Sequence, residues 1–184
     1  MKRITIYTYL KNTDLHCLSA FEVMKDTMGD AAPEQLKRFV VWDLDFQVDD
    51  SRCQAQLDLI LNKSYRILNP NKHAYYQGGL PEDTLSPEYA RFHVKIEKQY
   101  DQDEAAICAQ MNRQLGTKLC GLSTYVVYSM VVAKNGLSRG ALEDNIRITL
   151  LDSRSIQQGF LVNPLFEIAS FISVPSTVVA ASSD

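Results

Sequence analysis

One short phrase occurs twice in this chain, and it constrains the fold more than any other feature. The first copy is Ile67-Leu68-Asn69-Pro70, followed by Asn71-Lys72-His73-Ala74-Tyr75-Tyr76. The second is Leu161-Val162-Asn163-Pro164, followed by Leu165-Phe166-Glu167-Ile168. Proline has no N–H and pushes the residue before it out of the α region, and asparagine tolerates the backbone angles of a helix end. Each copy therefore predicts an amphipathic helix that stops at the asparagine, a turn, and an extended segment. A second echo lies upstream: Asp50-Ser51-Arg52 and Asp152-Ser153-Arg154 sit where those helices would begin. The echoes come in the same order, which predicts two copies of one unit, residues 1–76 and 91–184. The Gly-, Pro- and acid-rich stretch 77–90 forms the linker.

Within the first unit, Ile4, Ile6 and Thr8 alternate with Thr5, Tyr7 and Tyr9, a strand pattern. A helix is expected from Leu15 to Met28, with Leu18, Phe21, Met24 or Lys25, and Met28 at helical spacing and Gly29 as its stop. Val40, Trp42, Leu44, Phe46 and Val48 share one face of a strand, with Asp43, Asp45 and Gln47 mainly on the other. The segment 36–48 reads as one long strand or as a hairpin. A helix from Ser51 to Leu68 follows, with Ser51 and Gln54 as a capping box and Leu57, Ile60, Leu61, Ser64 and Leu68 as its inward stripe. His73–Tyr76 closes the unit as a short strand. A βαββαβ ferredoxin-like unit fits this count.

The second unit opens with Phe92, Val94 and Ile96 on one strand face and His93, Lys95 and Glu97 on the other. A helix capped by Asp101 or Asp103 carries Ile107, Met111 and Leu115 and ends at Gly116. Residues 125–132 are apolar on both faces, as in a central covered strand. Lys134–Gly140 is rich in turn residues, Ile146, Ile148 and Leu150 alternate as a further strand, and a helix from Asp152 reaches Asn163. The stretch from Val174 to Asp184 is an edge strand or a tail. The fold class expected is α+β: two tandem ferredoxin-like units whose antiparallel sheets carry helices on one side. The second sheet face is also rich in apolar residues, and leaving it bare would be costly, so the two sheets are expected to associate by edge or face as a pseudo-dimer.

Composition excludes some classes of function. A net charge of −3 argues against nucleic acid or an anionic membrane as partner. No apolar run reaches the ~18 residues of a membrane span. The start Met1-Lys2-Arg3-Ile4 runs straight into a strand pattern without a signal-peptide core, which predicts a cytoplasmic location. Cys17, Cys53, Cys108 and Cys120 form neither a C-x-x-C pair nor a zinc spacing and are expected to be reduced thiols.

The pattern resembles PurS, the small subunit of phosphoribosylformylglycinamidine synthase. The matching residues are Ile4, Ile6, Leu10 and Lys11, then Met28-Gly29, then Leu68-Asn69-Pro70 with Tyr75. In the second unit they are Val94, Ile96, Leu115-Gly116 and Leu161-Val162-Asn163-Pro164. PurS has one unit per chain. A fused pair is similar to the N-terminal region of the large single-chain amidotransferases, and the second unit carries extra residues around Lys134–Asn145. The resemblance implies a non-catalytic adaptor, without cofactor, that bridges the synthetase and glutaminase subunits of that synthase. A homodimer is a further possibility. The alternative is a small-molecule-binding α/β protein with its ligand between the two units, anchored by Lys72, His73 or His93.

No P-loop, G-x-G-x-x-G, H-E-x-x-H or G-x-S-x-G is present, so no catalytic residue and no metal ligand is assigned. Asn71, Lys72 and His73 form the best polar cluster and are the candidate ligand-binding residues, although they follow a helix C-terminus, which repels anions, and a surface turn is the alternative. His16-Cys17 at a helix start could pair a thiolate with an imidazole, but neighbours on a helix diverge. Asp43 and Asp45 share a strand face without a third ligand nearby. His93 reads as a solvated or interface residue, and Trp42, Tyr7 and Tyr9 as core or interface.

Overall fold

The computed structural model describes residues 1–81, 84–99, 103–152, 161–163 and 165–176. The elements are β1 (Lys2–Leu10), α1 (Leu15–Met28), β2 (Gln35–Phe46), α2 (Asp50–Lys63), β3 (His73–Gln77), β4 (Tyr89–Lys98), α3 (Glu104–Leu115), β5 (Leu119–Ala133), α4 (Arg139–Ile146) and β6 (Glu167–Phe171). The strands form one six-stranded sheet in the order β3-β1-β2-β5-β4-β6, with every neighbouring pair antiparallel.

The register repeats between the halves. Ile6 lies opposite Trp42 on one side and Gln77 on the other, and Val94 lies opposite Tyr128 and Phe171 in the same way. The halves join edge to edge through their longest strands, with Val40 opposite Val126. The two asparagine turns are built alike. Asn69 Oδ1 accepts from the Asn71 N–H at 3.1 Å, and its carbonyl accepts from Lys72 and His73 at 2.9 and 2.8 Å. Asn163 Oδ1 accepts from Leu165 at 3.2 Å, and its carbonyl from Phe166 and Glu167 at 3.0 and 2.8 Å. These are turns in which the side-chain amide mimics backbone, and each delivers the chain into the last strand of its half.

Several expectations are corrected. Of the two readings of 36–48, the single strand holds, because β2 pairs along its full length with β5. Each half therefore supplies three strands rather than the four of a βαββαβ unit. Helix α2 ends at Lys63, short of Asn69: Ser64 turns extended (φ −105°, ψ 93°). A separate turn closed on the Ser64 carbonyl then buries Ile67 and Leu68. The first Asn-Pro phrase thus leads into a strand rather than stopping a helix. The Ser51–Gln54 capping box does not form; Asp49 occupies the N-cap without a side-chain bond, and Gln54 reaches Asp58 and Gln77 instead. Asp103 is the N-cap of α3, also without a side-chain bond, and Asp101 lies outside the described residues.

Residues 146–150 are not a strand. Ser138 Oγ caps α4 by accepting from the Ala141 N–H at 3.2 Å, and a π-helical turn, Arg147–Leu151, continues it. Leu142, Ile146 and Leu150 recur every four residues and are all buried, while Ile148 is 49% exposed. The four-residue period wins over the apparent alternation because only it meets an apolar surface. The helix expected from Asp152 falls largely on residues 153–160, outside the described residues, as does the tail beyond Ser176.

The described helices lie on one face of the sheet, and their packing crosses the halves. Cys53, Leu57, Ile60 and Leu61 of α2 share a core with Ile107, Cys108 and Met111 of α3, over Ile4, Ile6, Leu44 and Phe46. Met24 of α1, with Ala20 and Met28, shares another core with Leu142, Ile146 and Leu150, over Phe92, Val94, Ile96 and Met130. In α1 the inward residues are thus Cys17, Ala20, Met24 and Met28, while Leu18 is 40% exposed. Each fully buried side chain of this size stabilises by roughly 1.5–3 kcal/mol, so neither half keeps its helices covered alone.

The helix-free face holds a third cluster, with Tyr7, Phe39, Val41 and Val127 buried beneath Leu80. The segments that follow β3 and β6 meet over it. The Leu80 N–H donates to the Pro175 carbonyl at 3.0 Å, and Leu80 bridges Ser176 in parallel. The apolar second face is therefore covered by straps from the chain itself. Among the described residues, no helix is long and apolar enough to cross a membrane.

Candidate functional site

The main cleft opens where β1 leaves β2. β1 pairs with β2 only as far as Thr8 opposite Val40, while β2 runs back to Gln35 against β5. The first turn of α1 closes part of the gap. Asp14 caps that helix, its Oδ1 accepting from the His16 and Cys17 N–H groups at 3.1 and 3.2 Å. Its Oδ2 accepts from Arg38 Nη1 at 3.3 Å. The Cys17 thiol donates to the Leu36 carbonyl at 3.3 Å.

The space enclosed is about 550 Å³, within the ordinary range for small-molecule sites. Tyr9, Phe39 and Tyr76 give it an aromatic wall, with Tyr9 and Tyr76 stacked at 5.0 Å and Phe39 edge-on to Tyr9 at 5.9 Å. Leu18 and Phe21 of α1 and the strap residues Leu80 and Pro81 add apolar surface. The second half contributes Arg91, His93, Ser129 and Val131, so the cleft belongs to both halves.

Electrostatics set the state of the polar groups. His93 titrates at about 4, because burial and then Arg91 and Arg139 disfavour its charged form. It is a neutral imidazole at pH 7, and its Nδ1 is buried without a hydrogen-bond partner among the described residues, an arrangement that costs free energy until something meets it. The expectation of a solvated His93 is thus corrected: the residue is half-buried in the cleft. Burial, and then Asp14, push the Cys17 thiol up to about 11, and His16 is exposed, so no thiolate–imidazole pair forms.

Asn71, Lys72 and His73 come together in the turn that begins β3, and none of them lines the cleft. His73 Nδ1 accepts from the Asn69 N–H at 3.2 Å, and burial, then Lys72, hold its pKa below the usual histidine value. Asp45 takes the Arg3 guanidinium through two bonds of 2.8 Å, which holds its carboxyl below the usual range. Asp43 accepts from the Thr5 hydroxyl. No group of three His, Cys, Asp or Glu side chains able to hold a metal occurs among the described residues.

Sequence reasoning missed Asp14, Lys37, Arg38 and Ser129 as cleft residues. The β2–β5 pairing brings Ser129 beside Lys37, and the Arg38–Asp14 bond brings in the start of α1, so no local spacing marks them. No family model matches the chain, and no curated protein or solved structure matches it.

Proposed function

We propose that this chain is a non-catalytic adaptor of the PurS kind, a tandem pair of ferredoxin-like units fused into a pseudo-dimer. Its partners would be the synthetase and glutaminase subunits of phosphoribosylformylglycinamidine synthase. The observation that carries the reading is the repeated register of the two halves about Val40 and Val126, with both helical cores built from both halves. That is how two copies of a small subunit would share a sheet and cover each other's helices. The three-stranded halves are a departure from the ferredoxin-like count and bear on the evolutionary part of the reading, not on the adaptor role. Co-purification from the host tests it. The expected result is a complex with the synthetase, the glutaminase or both, and a chain that recovers neither would overturn the assignment.

A second reading is favoured by one specific observation, the cleft between the halves with an unpartnered imidazole atom in it. Under this reading the chain binds a small molecule there. Ligands that bind the folded chain raise its melting temperature, so a nucleotide and amino-acid screen by thermal shift tests it, and a flat response across the screen counts against it.

A further inference from the structure

Three strands present one polar row to the cleft. His93 on β4 lies opposite Ser129 on β5, and Ser129 lies opposite Lys37 on β2. Neighbouring strands are about 4.8 Å apart, so an imidazole, a hydroxyl and an ammonium follow one another across roughly 10 Å of one sheet face. All three line the same space.

The charges around this row are unequally matched. Arg38 is engaged by Asp14 at 3.3 Å, and Glu34 by Lys25 at 3.5 Å. Lys37 is exposed and meets no carboxylate among the described residues. Ser129 is 9% exposed, and its hydroxyl can donate to an acceptor. The neutral His93 ring can donate from one nitrogen, and its Nδ1 lacks a partner. A group that accepts hydrogen bonds along its whole edge and carries negative charge satisfies all three. Beside the row stand the faces and edges of Tyr9, Phe39 and Tyr76, which favour a flat ring system in offset or edge-on contact.

We infer that the cleft binds a small aromatic anion, its acidic head on the Lys37–Ser129–His93 row and its ring against Tyr9, Phe39 and Tyr76. The inference rests on the second reading above, that the cleft is a ligand site, and adds the ligand's chemical class. The head is a carboxylate or a phosphate ester, which share the required chemistry.

Isothermal titration with three matched probes tests it: 1-naphthoate, 1-naphthyl phosphate and the neutral 1-naphthalenemethanol. The expected result is saturable binding of at least one anion, with the neutral alcohol at least about tenfold weaker, the worth of one charge-assisted hydrogen bond. The tighter of the two anions identifies the head group. Lys37→Ala removes only an exposed side chain, and it should weaken the anions about tenfold while leaving the alcohol unchanged. Lys63→Ala, at the exposed end of α2, should leave all three unchanged. If the alcohol binds as well as the anions, or Lys37→Ala changes nothing, the aromatic-anion class is wrong while the cleft remains a ligand site. If none of the probes binds, the aromatic-anion inference falls, while the ligand-site reading stands or falls with the nucleotide and amino-acid screen.

Discussion

Replacing Gly79 with alanine tests how the helix-free face is held. A Cβ at this position would lie 2.0 Å from the Pro175 carbonyl oxygen and 2.8 Å from its carbon. Both are backbone atoms, so no side-chain rotation relieves the clash. The gap must open by about 1.3 Å to reach the ~3.3 Å of a close C···O contact. Opening it breaks the 3.0 Å bond from the Leu80 N–H to the Pro175 carbonyl, worth about 0.5–1.5 kcal/mol. It also lifts Leu80, now 6% exposed, off Tyr7, Phe39 and Val127, at a cost of roughly 1.5–3 kcal/mol. The total is about 2–4.5 kcal/mol, and it saturates: once the straps part, a larger side chain meets nothing more. Gly79→Val should therefore cost no more than about 0.5 kcal/mol beyond Gly79→Ala. For a chain of this size each kcal/mol lowers Tm by roughly 2–4 °C, so Gly79→Ala should melt about 5–15 °C lower. Hydrogen exchange should show the Leu80 amide losing protection while the amides of β2 and β5 keep theirs. An unchanged Tm with a protected Leu80 amide would refute the reasoning, as would a valine variant several kcal/mol worse than the alanine.

Three other outcomes are expected. Met24→Ala removes a fully buried side chain of α1 from a core shared with β4 and α4 and should cost about 2–5 kcal/mol; the whole chain should still melt in one transition, and separate transitions for the two halves would contradict the shared core. Asn69→Ala and Asn163→Ala should each cost about 1 kcal/mol in urea unfolding, because each side-chain oxygen closes an equivalent turn; a marked loss at only one of them would show that the turns are not energetically equivalent. His93 has a folded-state pKa of about 4 against roughly 6.5 when unfolded, so the unfolded chain binds the extra proton between these values. Stability is then complete above pH 6.5 and falls as pH drops towards 4. The loss is on the order of 1 kcal/mol, reduced from the full linkage value because the imidazole is only half-buried, and His93→Gln should flatten that part of the Tm–pH profile.

Much of the fold was legible where a local cause was sufficient. Strand β1, helix α1 with its Gly29 end, strand β4 and helix α3 with its Gly116 end all follow from periodicity and from glycines that adopt positive φ. The doubled Asn-Pro phrase marked two turns that the structure builds with the same hydrogen bonds. Local cause failed where two patterns fitted equally well. Ile146, Ile148 and Leu150 alternate like a strand, yet Leu142, Ile146 and Leu150 also recur like a helix. Only the apolar surface offered by α1 and β4 decides for the helix.

The candidate site was the least legible part. The sequence by itself determined that Asn71, Lys72 and His73 lie together in a turn, because they are neighbours in the chain. It also determined that His93 sits on a strand face with Lys95 and Glu97. Tertiary structure alone decided that His93, Ser129 and Lys37 form one row, since that row exists only through the register of β4 on β5 and of β5 on β2. A register is set by how long strands align their apolar faces on a common core. That is a property of the whole sheet, and no stretch of sequence shorter than the sheet contains it.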